Sequence, residues 1–362
     1  MKTLLRKILQ PFFYFLYYVP FKKSINVTRD GKPLKLGITA VVAMKNEEYT
    51  LPLCLESLIG FADQIVIIDN GSEDSSLEKA KEFKEKFGNK VEIDIIEMPG
   101  ALLGDCREAG LKATRYQWHL RWDADMVAHT DGPNDMKLLR QKVLKDNTPR
   151  AIQLPRINIY GDLKHTMGKI SDPGEPILIW FNKDLFYREY GKFDSIRVPF
   201  YFKQDKEIKN YYFHCSGLKS DENLIHRFHY FTWREYYNQF NDTSRPKILK
   251  DINEFKKVRN QYLFQTNDAL SIKYRYMRQL VSQFVKYKED VYGEYPVILQ
   301  REMKKTNQRF EVLYKDFKPY IRIDNNDITM QSYSPTEEDI KWNINVFFEK
   351  LFSENINKYC ND

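Results

Sequence analysis

From residue 38 onward, apolar positions gather into short runs separated by stretches with helical spacing. Ile38-Thr39-Ala40-Val41-Val42-Ala43-Met44 is nearly all apolar, the mark of a parallel strand covered on both faces. Lys45-Asn46-Glu47-Glu48 then opens a predicted helix, with Leu51, Leu55, Leu58 and Ile59 at helical spacing. Gln64-Ile65-Val66-Ile67-Ile68-Asp69 predicts a second buried strand. It runs into Asn70-Gly71-Ser72-Glu73-Asp74, a tight turn with helix-capping residues. A charged amphipathic helix follows from about Ser75 to Phe87, then a third strand over 91–96. Gly104-Asp105-Cys106-Arg107 starts another helix, through about Tyr116. The fourth strand ends in Trp122-Asp123-Ala124-Asp125. Strand and helix alternating in this way predict a parallel sheet with right-handed crossovers.

In an open parallel sheet, ligands bind at the carboxyl ends of the strands. Asn46, Asp69, Asp123 and Asp125 all fall at that edge. Residues two apart in an extended chain point the same way, so Asp123 and Asp125 share a side, with the small Ala124 between them. Two close carboxylates raise each other's pKa unless a cation lies between them. Mg²⁺ characteristically takes one or two carboxylates plus substrate phosphates. The bland alternatives are a solvated turn for Asp123 and Asp125, a turn cap for Asp69 and Asn46, and a surface salt bridge for Arg107.

Four blocks stand in order: Ala43-Met44-Lys45-Asn46-Glu47-Glu48, Ile67-Ile68-Asp69-Asn70-Gly71-Ser72-Glu73-Asp74, Asp105-Cys106-Arg107-Glu108-Ala109-Gly110-Leu111, and Trp122-Asp123-Ala124-Asp125. Together they resemble the successive motifs of family 2 glycosyltransferases with the GT-A fold, over roughly residues 36 to 128. The resemblance implies a mainly parallel, Rossmann-like sheet flanked by helices, a nucleotide-sugar donor with a UDP-sugar favoured, and Mn²⁺ or Mg²⁺. It implies that Asp69 and Arg107 hold the nucleotide base, with Lys45 and Asn46 beside the donor. Asp123 touches ribose or metal, and Asp125 ligates the metal. Met44-Lys45 stands where the family often has Thr-Tyr, and Asn70 where a second Asp is common, which bears on the choice of nucleotide.

Residues 129–235 are expected to complete the domain and meet a glycan or lipid-linked acceptor. A helix is predicted near 135–144, and strands at 151–155, 157–160 and 177–181. Residues 197–202 and 211–214 read as paired strands around a polar turn at 204–207. His214 resembles, in placement, a histidine that adds a metal ligand or diphosphate contact in several GT-A enzymes. Lys219 or Arg227 is a candidate diphosphate contact. An inverting transfer needs a carboxylate within reach of the acceptor hydroxyl. Gly191-Lys192-Phe193-Asp194 with Gln204-Asp205 resembles the family's Gly-Phe-Asp followed by Glu-Asp, which implies Asp205 as that base. If 204–207 is only a turn, Asp194 or Glu175 takes the role. His226 and His229 share a helical face, but nothing nearby completes a zinc site.

The termini differ in character. Residues 1–35 hold an apolar, aromatic run from Pro11 to Phe21 flanked by Lys2, Arg6, Lys7, Lys22 and Lys23. The run is shorter than the about 20 apolar residues a bilayer span needs, and it lacks a signal-peptide cleavage site. Either it lies at a membrane interface, rings at headgroup level and lysines on anionic lipid, or it packs on the protein's own surface. Pro11 and Pro20 are expected to limit its regular helix. Residues 236–362 are charged, Tyr-rich and read as a helical extension. The chain of 362 residues carries a net charge of +7. That favours anionic partners, but no basic run is dense enough for nucleic acid. Four scattered cysteines fit a reducing, cytoplasmic setting. The alternatives to a glycosyltransferase are a nucleotidyltransferase and a non-catalytic scaffold on the same fold.

Overall fold

A computed structural model of the chain describes residues 2–323 apart from 147, 160–162, 164, 172–175, 191–192, 220, 238, 241–242, 265–266, 270–271, 273–284, 306–309 and 316–317. The chain opens with more helix than its prolines suggest. Helix α1 (Lys2–Phe13) contains Pro11, a π-helical turn covers Tyr14–Tyr18, and α2 (Val19–Ile25) follows. Pro20 sits in the first turn of α2. The break expected from the prolines is taken up by the widened turn between them.

The expected α/β sheet is present. Strands β1 (Lys35–Met44), β2 (Gln64–Asp69), β3 (Glu92–Glu97) and β4 (Tyr116–Asp123) run parallel in the order β4-β1-β2-β3. Both faces are buried, which is why these segments read as continuous apolar runs. Ile38, Ala40 and Val42 of β1 join Ile65 and Ile67 of β2 in one core cluster. Val41, Val66 and Ile68 point the other way into a second.

The crossover helices are α3 (Leu51–Ser57), α4 (Ser76–Phe87) and α5 (Leu103–Ala113). Residues 45–48 form a loop rather than the start of α3, and α5 ends before Tyr116, which belongs to β4. Asn46 there takes a positive φ of 54°, tolerated by Asn better than by most residues. Helix α5 lies directly on β1. A Cβ at Gly110 would clash with the Val41 side chain and stand 3.1 Å from its Cβ. Gly110→Ala is therefore expected to destabilise the fold by about 1–3 kcal/mol, despite alanine's better helix propensity. Urea unfolding checks this, and an unchanged or raised midpoint would mean the helix can slide.

The sheet continues past β4. After β5 (Met126–Ala128) and α6 (Met136–Leu144) come β6 (Arg150–Gln153), β7 (Arg156–Ile159), β8 (His165–Ser171) and β9 (Leu178–Trp180). Then β10 (Phe186–Tyr190) and β11 (Phe193–Arg197) form an antiparallel hairpin, followed by β12 (Lys203–Lys206) and β13 (Tyr212–His214). The seven-stranded sheet has the order β12-β6-β9-β4-β1-β2-β3, mainly parallel with β9 reversed.

The hairpin expected around 204–207 does not form. Residues 203–206 are themselves a strand, parallel to β6 at the sheet edge. The strand expected over 197–202 stops at Arg197, before Pro199, which has no N–H to donate to a ladder. A second sheet, β14-β8-β7-β13-β5, is completed by β14 (Val285–Lys286).

Helix α7 (Asp221–Tyr237) crosses the boundary drawn at residue 235. Beyond it lie α8 (Lys247–Lys250), α9 (Ile252–Phe264), α10 (Glu289–Tyr292) and α11 (Val297–Lys305). Strand β14 and a two-stranded ribbon, Phe310–Lys315 with Lys318–Ile323, interrupt the helices. The described part of the C-terminal region is thus mixed rather than purely helical. All of the 274–284 stretch and all of 324–362 lie outside the described residues.

Candidate active site

The carboxyl ends of β1 and β4, with helix α7 opposite, enclose a cleft of about 450 Å³, within the usual range of small-molecule sites. Strand β4 delivers Asp123 at its end, in register with Ala43 of β1. The turn behind it is pinned. The buried Trp122 indole donates to the Met126 carbonyl at 3.1 Å, and the Cys215 N–H donates to the Asp125 carbonyl at 2.6 Å. That clamp holds Asp123 and Asp125 on one side of the chain.

His214 arrives from a different part of the sequence. Strand β13 pairs with β5, placing His214 opposite Met126, and with β7, placing it opposite Asn158. One oxygen or nitrogen from each of Asp123, Asp125 and His214 lies within 4.8 Å of the others. Among the described residues this is the one group of His, Cys, Asp and Glu so arranged. His214 Nδ1 stands 2.9 Å from Asn158 Oδ1. An amide oxygen only accepts, so Nδ1 donates there and Nε2 is the nitrogen that faces Asp125. Nε2 stands 3.1 Å from Asp125 Oδ1. An imidazole nitrogen and two carboxylates so gathered fit a divalent cation in chemistry as well as spacing.

The surrounding charge is basic. Arg107 is 1% exposed and pairs with Asp123. It also donates to the Trp122 carbonyl at 2.9 Å and lies 3.3 Å from Asp194. Lys219 pairs with Glu47 and stands 3.5 Å from Asp125, while Arg227 stands 3.4 Å from the same carboxylate. Enclosure works to raise both aspartates, but it is outweighed. Arg107, Arg121 and His214 hold Asp123 well below the ordinary carboxylate range, and His214 and Arg227 hold Asp125 below it. Both are therefore anionic at neutral pH, as metal ligands must be.

Residues 39–201 match the family model described as glycosyl transferase family 2. This segment is a family 2 glycosyltransferase domain. A search of curated proteins returned no match. Among solved structures, S. aureus TarS 1-349 is 14% identical, over 80% of this chain and 97% of that one, with a TM-score of 0.36. The same TarS fragment in complex with UDP-GlcNAc gives 15%, 80%, 97% and 0.36. A Mycobacterium tuberculosis glucosyl-3-phosphoglycerate synthase in complex with Mn²⁺, UDP and glucosyl-3-phosphoglycerate is 16% identical, over 34% of this chain and 45% of that one, at 0.26. The nucleotidyltransferase alternative falls with the family match.

Within the glycosyltransferase cleft, the expected residues are unevenly placed. Lys45, Asn46, Arg107, Asp123, Asp125, Asp194 and His214 all line it. Asp69 does not. Its carboxylate accepts from the Ser72 N–H at 3.1 Å and from the Ser72 hydroxyl at 2.5 Å, while the neighbouring Asn70 lines the wall. Asn46 is both wall and turn: its amide oxygen accepts from the Glu73 N–H at 2.8 Å. Asp205 is held on edge strand β12 by Arg150 at 2.7 Å and is not brought to the cleft. Glu175 lies outside the described residues.

Several contributors escaped the sequence reading. Besides the expected Arg227, and His226 that was weighed only for zinc, helix α7 lines the cleft with Asn223, Tyr230, Phe231 and Arg234, a stripe whose i, i+3, i+4, i+7 spacing was visible but whose facing was not. Arg121 and Arg156 add positive charge. Asn158 stands between the apolar Ile157 and Ile159 of β7, and that was its one signal. Asn158→Leu is expected to lower divalent-metal affinity about 10- to 100-fold, the usual cost of losing a ligand's orienting partner. Titration of Mn²⁺ by calorimetry measures it. Unchanged affinity would remove His214 from the ligand set.

Proposed function

We propose that this glycosyltransferase moves a sugar from a nucleotide-sugar donor, a UDP-sugar by preference, to a hydroxyl of a glycan or lipid-linked acceptor. Transfer inverts the anomeric carbon, in a bacterial-type surface-glycan pathway at the cytoplasmic face of the membrane. The observation that carries this reading is the Asp123, Asp125 and His214 cluster opening into a basic cleft at the carboxyl edge of the sheet.

Mn²⁺ or Mg²⁺ would be held by Asp123, Asp125 and His214. When bound, such a cation acts as a Lewis acid that offsets charge on the leaving diphosphate. Lys219 and Arg227 supply fixed positive charge for the same group. Lys45, Asn46 and Asn70 line the cleft and would face the donor. Arg107 acts by positioning Asp123 and Asp194 rather than by contacting the nucleotide base, since its guanidinium is enclosed by protein partners.

The acceptor oxygen bonds to the anomeric carbon as the bond to the diphosphate oxygen breaks, and the electron pair leaves with the nucleotide. The acceptor proton needs a carboxylate. Of the candidates among the described residues, Asp194 alone lines the cleft, and its Oδ2 makes no hydrogen bond. We assign it that role.

The test is a thermal-shift panel of UDP, GDP, CMP and UDP-sugars, with and without Mn²⁺, on wild type and Asp125→Ala. A ligand bound only by the native state raises stability by mass action, about 2.7 kcal/mol at 100 times Kd. UDP is expected to stabilise the wild type only with metal, and the variant not at all. A folded wild type that answers to no nucleotide would sink the donor assignment. A shift with GDP alone would replace UDP.

A further inference from the structure

The N-terminal helix buries one stripe and exposes another, and both are apolar. Tyr18 and Ile25 are buried, Tyr14 stacks on Tyr18, and Tyr18 stacks on Tyr201. Gln10 donates to the Tyr201 carbonyl at 2.7 Å. These contacts seat the helix on the body. The outward stripe is Ile8, Phe12, Phe15, Leu16 and Val19, exposed to 65%, 58%, 68%, 60% and 49%. Their spacing keeps one helical face. A surface helix normally turns charge to water, and a contiguous apolar patch of this kind marks an interaction surface.

The charge around the stripe identifies its partner. No aspartate or glutamate occurs before Asp30, whereas Lys2, Arg6, Lys7, Lys22 and Lys23 flank the apolar residues. Lys22 and Lys23 are solvent-exposed, and Phe21 beside them is 52% exposed. A second copy of the same helix would bring like charges together. An anionic surface with an apolar layer beneath complements both features at once. No described helix is long and apolar enough to cross a membrane, so the geometry is that of a helix lying in the interface plane.

We infer that the helix spanning residues 2–25 docks this protein on anionic phospholipid, with Phe12, Phe15 and Leu16 inserted at the acyl boundary and Lys22 and Lys23 on the headgroups. The inference names the lipid partner of the membrane setting proposed above, which it rests on. It bears on the acceptor: an enzyme held at the headgroup plane meets lipid-linked acceptors in two dimensions rather than three.

The experiment is co-sedimentation of the full chain with vesicles of phosphatidylcholine alone and of phosphatidylcholine with phosphatidylglycerol. The wild type is expected to pellet with the anionic vesicles and to be released by salt. The combined variant Phe12→Ser, Phe15→Ser and Leu16→Ser is expected to bind anionic vesicles at least about tenfold more weakly. Lys22→Glu with Lys23→Glu is expected to lose about tenfold or more on anionic vesicles and little on neutral ones. Both variants should keep the wild-type melting temperature without lipid, because none of the five side chains seats the helix.

Wild type left in the supernatant with both vesicle types overturns the inference, as does wild-type binding by the triple variant. A concentration-dependent dimer in sedimentation velocity, abolished by the triple variant while vesicles bind nothing, would assign the face to self-association instead. Vesicle binding and the UDP-dependent shift are separate readouts, so failure of the donor site leaves the membrane result standing, and the reverse.

Discussion

Asp125→Ala is expected to leave a folded protein whose turnover of nucleotide sugar falls by about 1,000-fold or more, the scale on which loss of preorganised charge stabilisation is felt. Three features of the site set the size. Asp125 is 5% exposed, so nothing in solvent can replace its carboxylate. One of its oxygens faces His214 Nε2 at 3.1 Å, the position a cation would complete. Lys219 and Arg227 lean on its other oxygen, so the substitution also frees them to bind the diphosphate in an unproductive way. Asp125→Asn keeps the shape and removes the charge, and it should lose nearly as much. Chelation should reduce the wild type to the level of the variant and leave the variant unchanged, since both treatments remove one unit. The measurement is UDP release from a donor panel with acceptor glycans, with and without EDTA. Activity that survives Asp125→Ala would take the metal out of the mechanism.

The second large effect is on stability. Arg107→Met is expected to cost about 3–5 kcal/mol, as is usual when one member of a buried charge network is removed. The guanidinium, at 1% exposure, lies between Asp123 and Asp194, and Asp194 is itself 4% exposed. Methionine fills the volume but leaves Asp194 with only Arg121, at 3.9 Å. Asp123 then loses the largest charge that holds its carboxyl below the ordinary range. A depressed folded pKa contributes stability above the ordinary carboxylate range that is lost as pH falls. The deficit of Arg107→Met should therefore shrink as pH falls below about 4. Adding Asp194→Asn should recover part of it, the signature of coupled neighbours in a double-mutant cycle. Urea unfolding at several pH values reads both. Additive losses, or a deficit independent of pH, would show that Arg107 contributes packing rather than charge pairing.

The same contacts bear on the role of Arg107. The sequence resemblance placed Arg107 against the nucleotide base. In the fold it is enclosed by Asp123, the Trp122 carbonyl and Asp194. The close seating of α5 on β1 at Gly110 brings the preceding turn of that helix, and Arg107 with it, beneath the end of β4.

The sequence by itself determined the parallel half of the sheet and the aspartates at its edge. Strands buried on both faces must be apolar throughout, and the polar residues that end them must be loop or ligand. Local chemistry of that kind is written in consecutive residues, so β1 to β4, Asp123 and Asp125 were legible. It also marked the aromatic, basic N-terminus as unusual, though not that a π-helical turn would carry the helix past its prolines. Only the tertiary structure decided what surrounds the aspartates. His214 reaches Asp125 because β13 pairs with both β5 and β7, a pairing between segments far apart in the chain. Asp205 and Asp194 looked alike as candidate bases, yet one became an edge-strand partner of Arg150 and the other a wall of the cleft. Which way a side chain faces depends on strand register and helix rotation, and these are fixed by the sum of long-range packing rather than by any local run of residues.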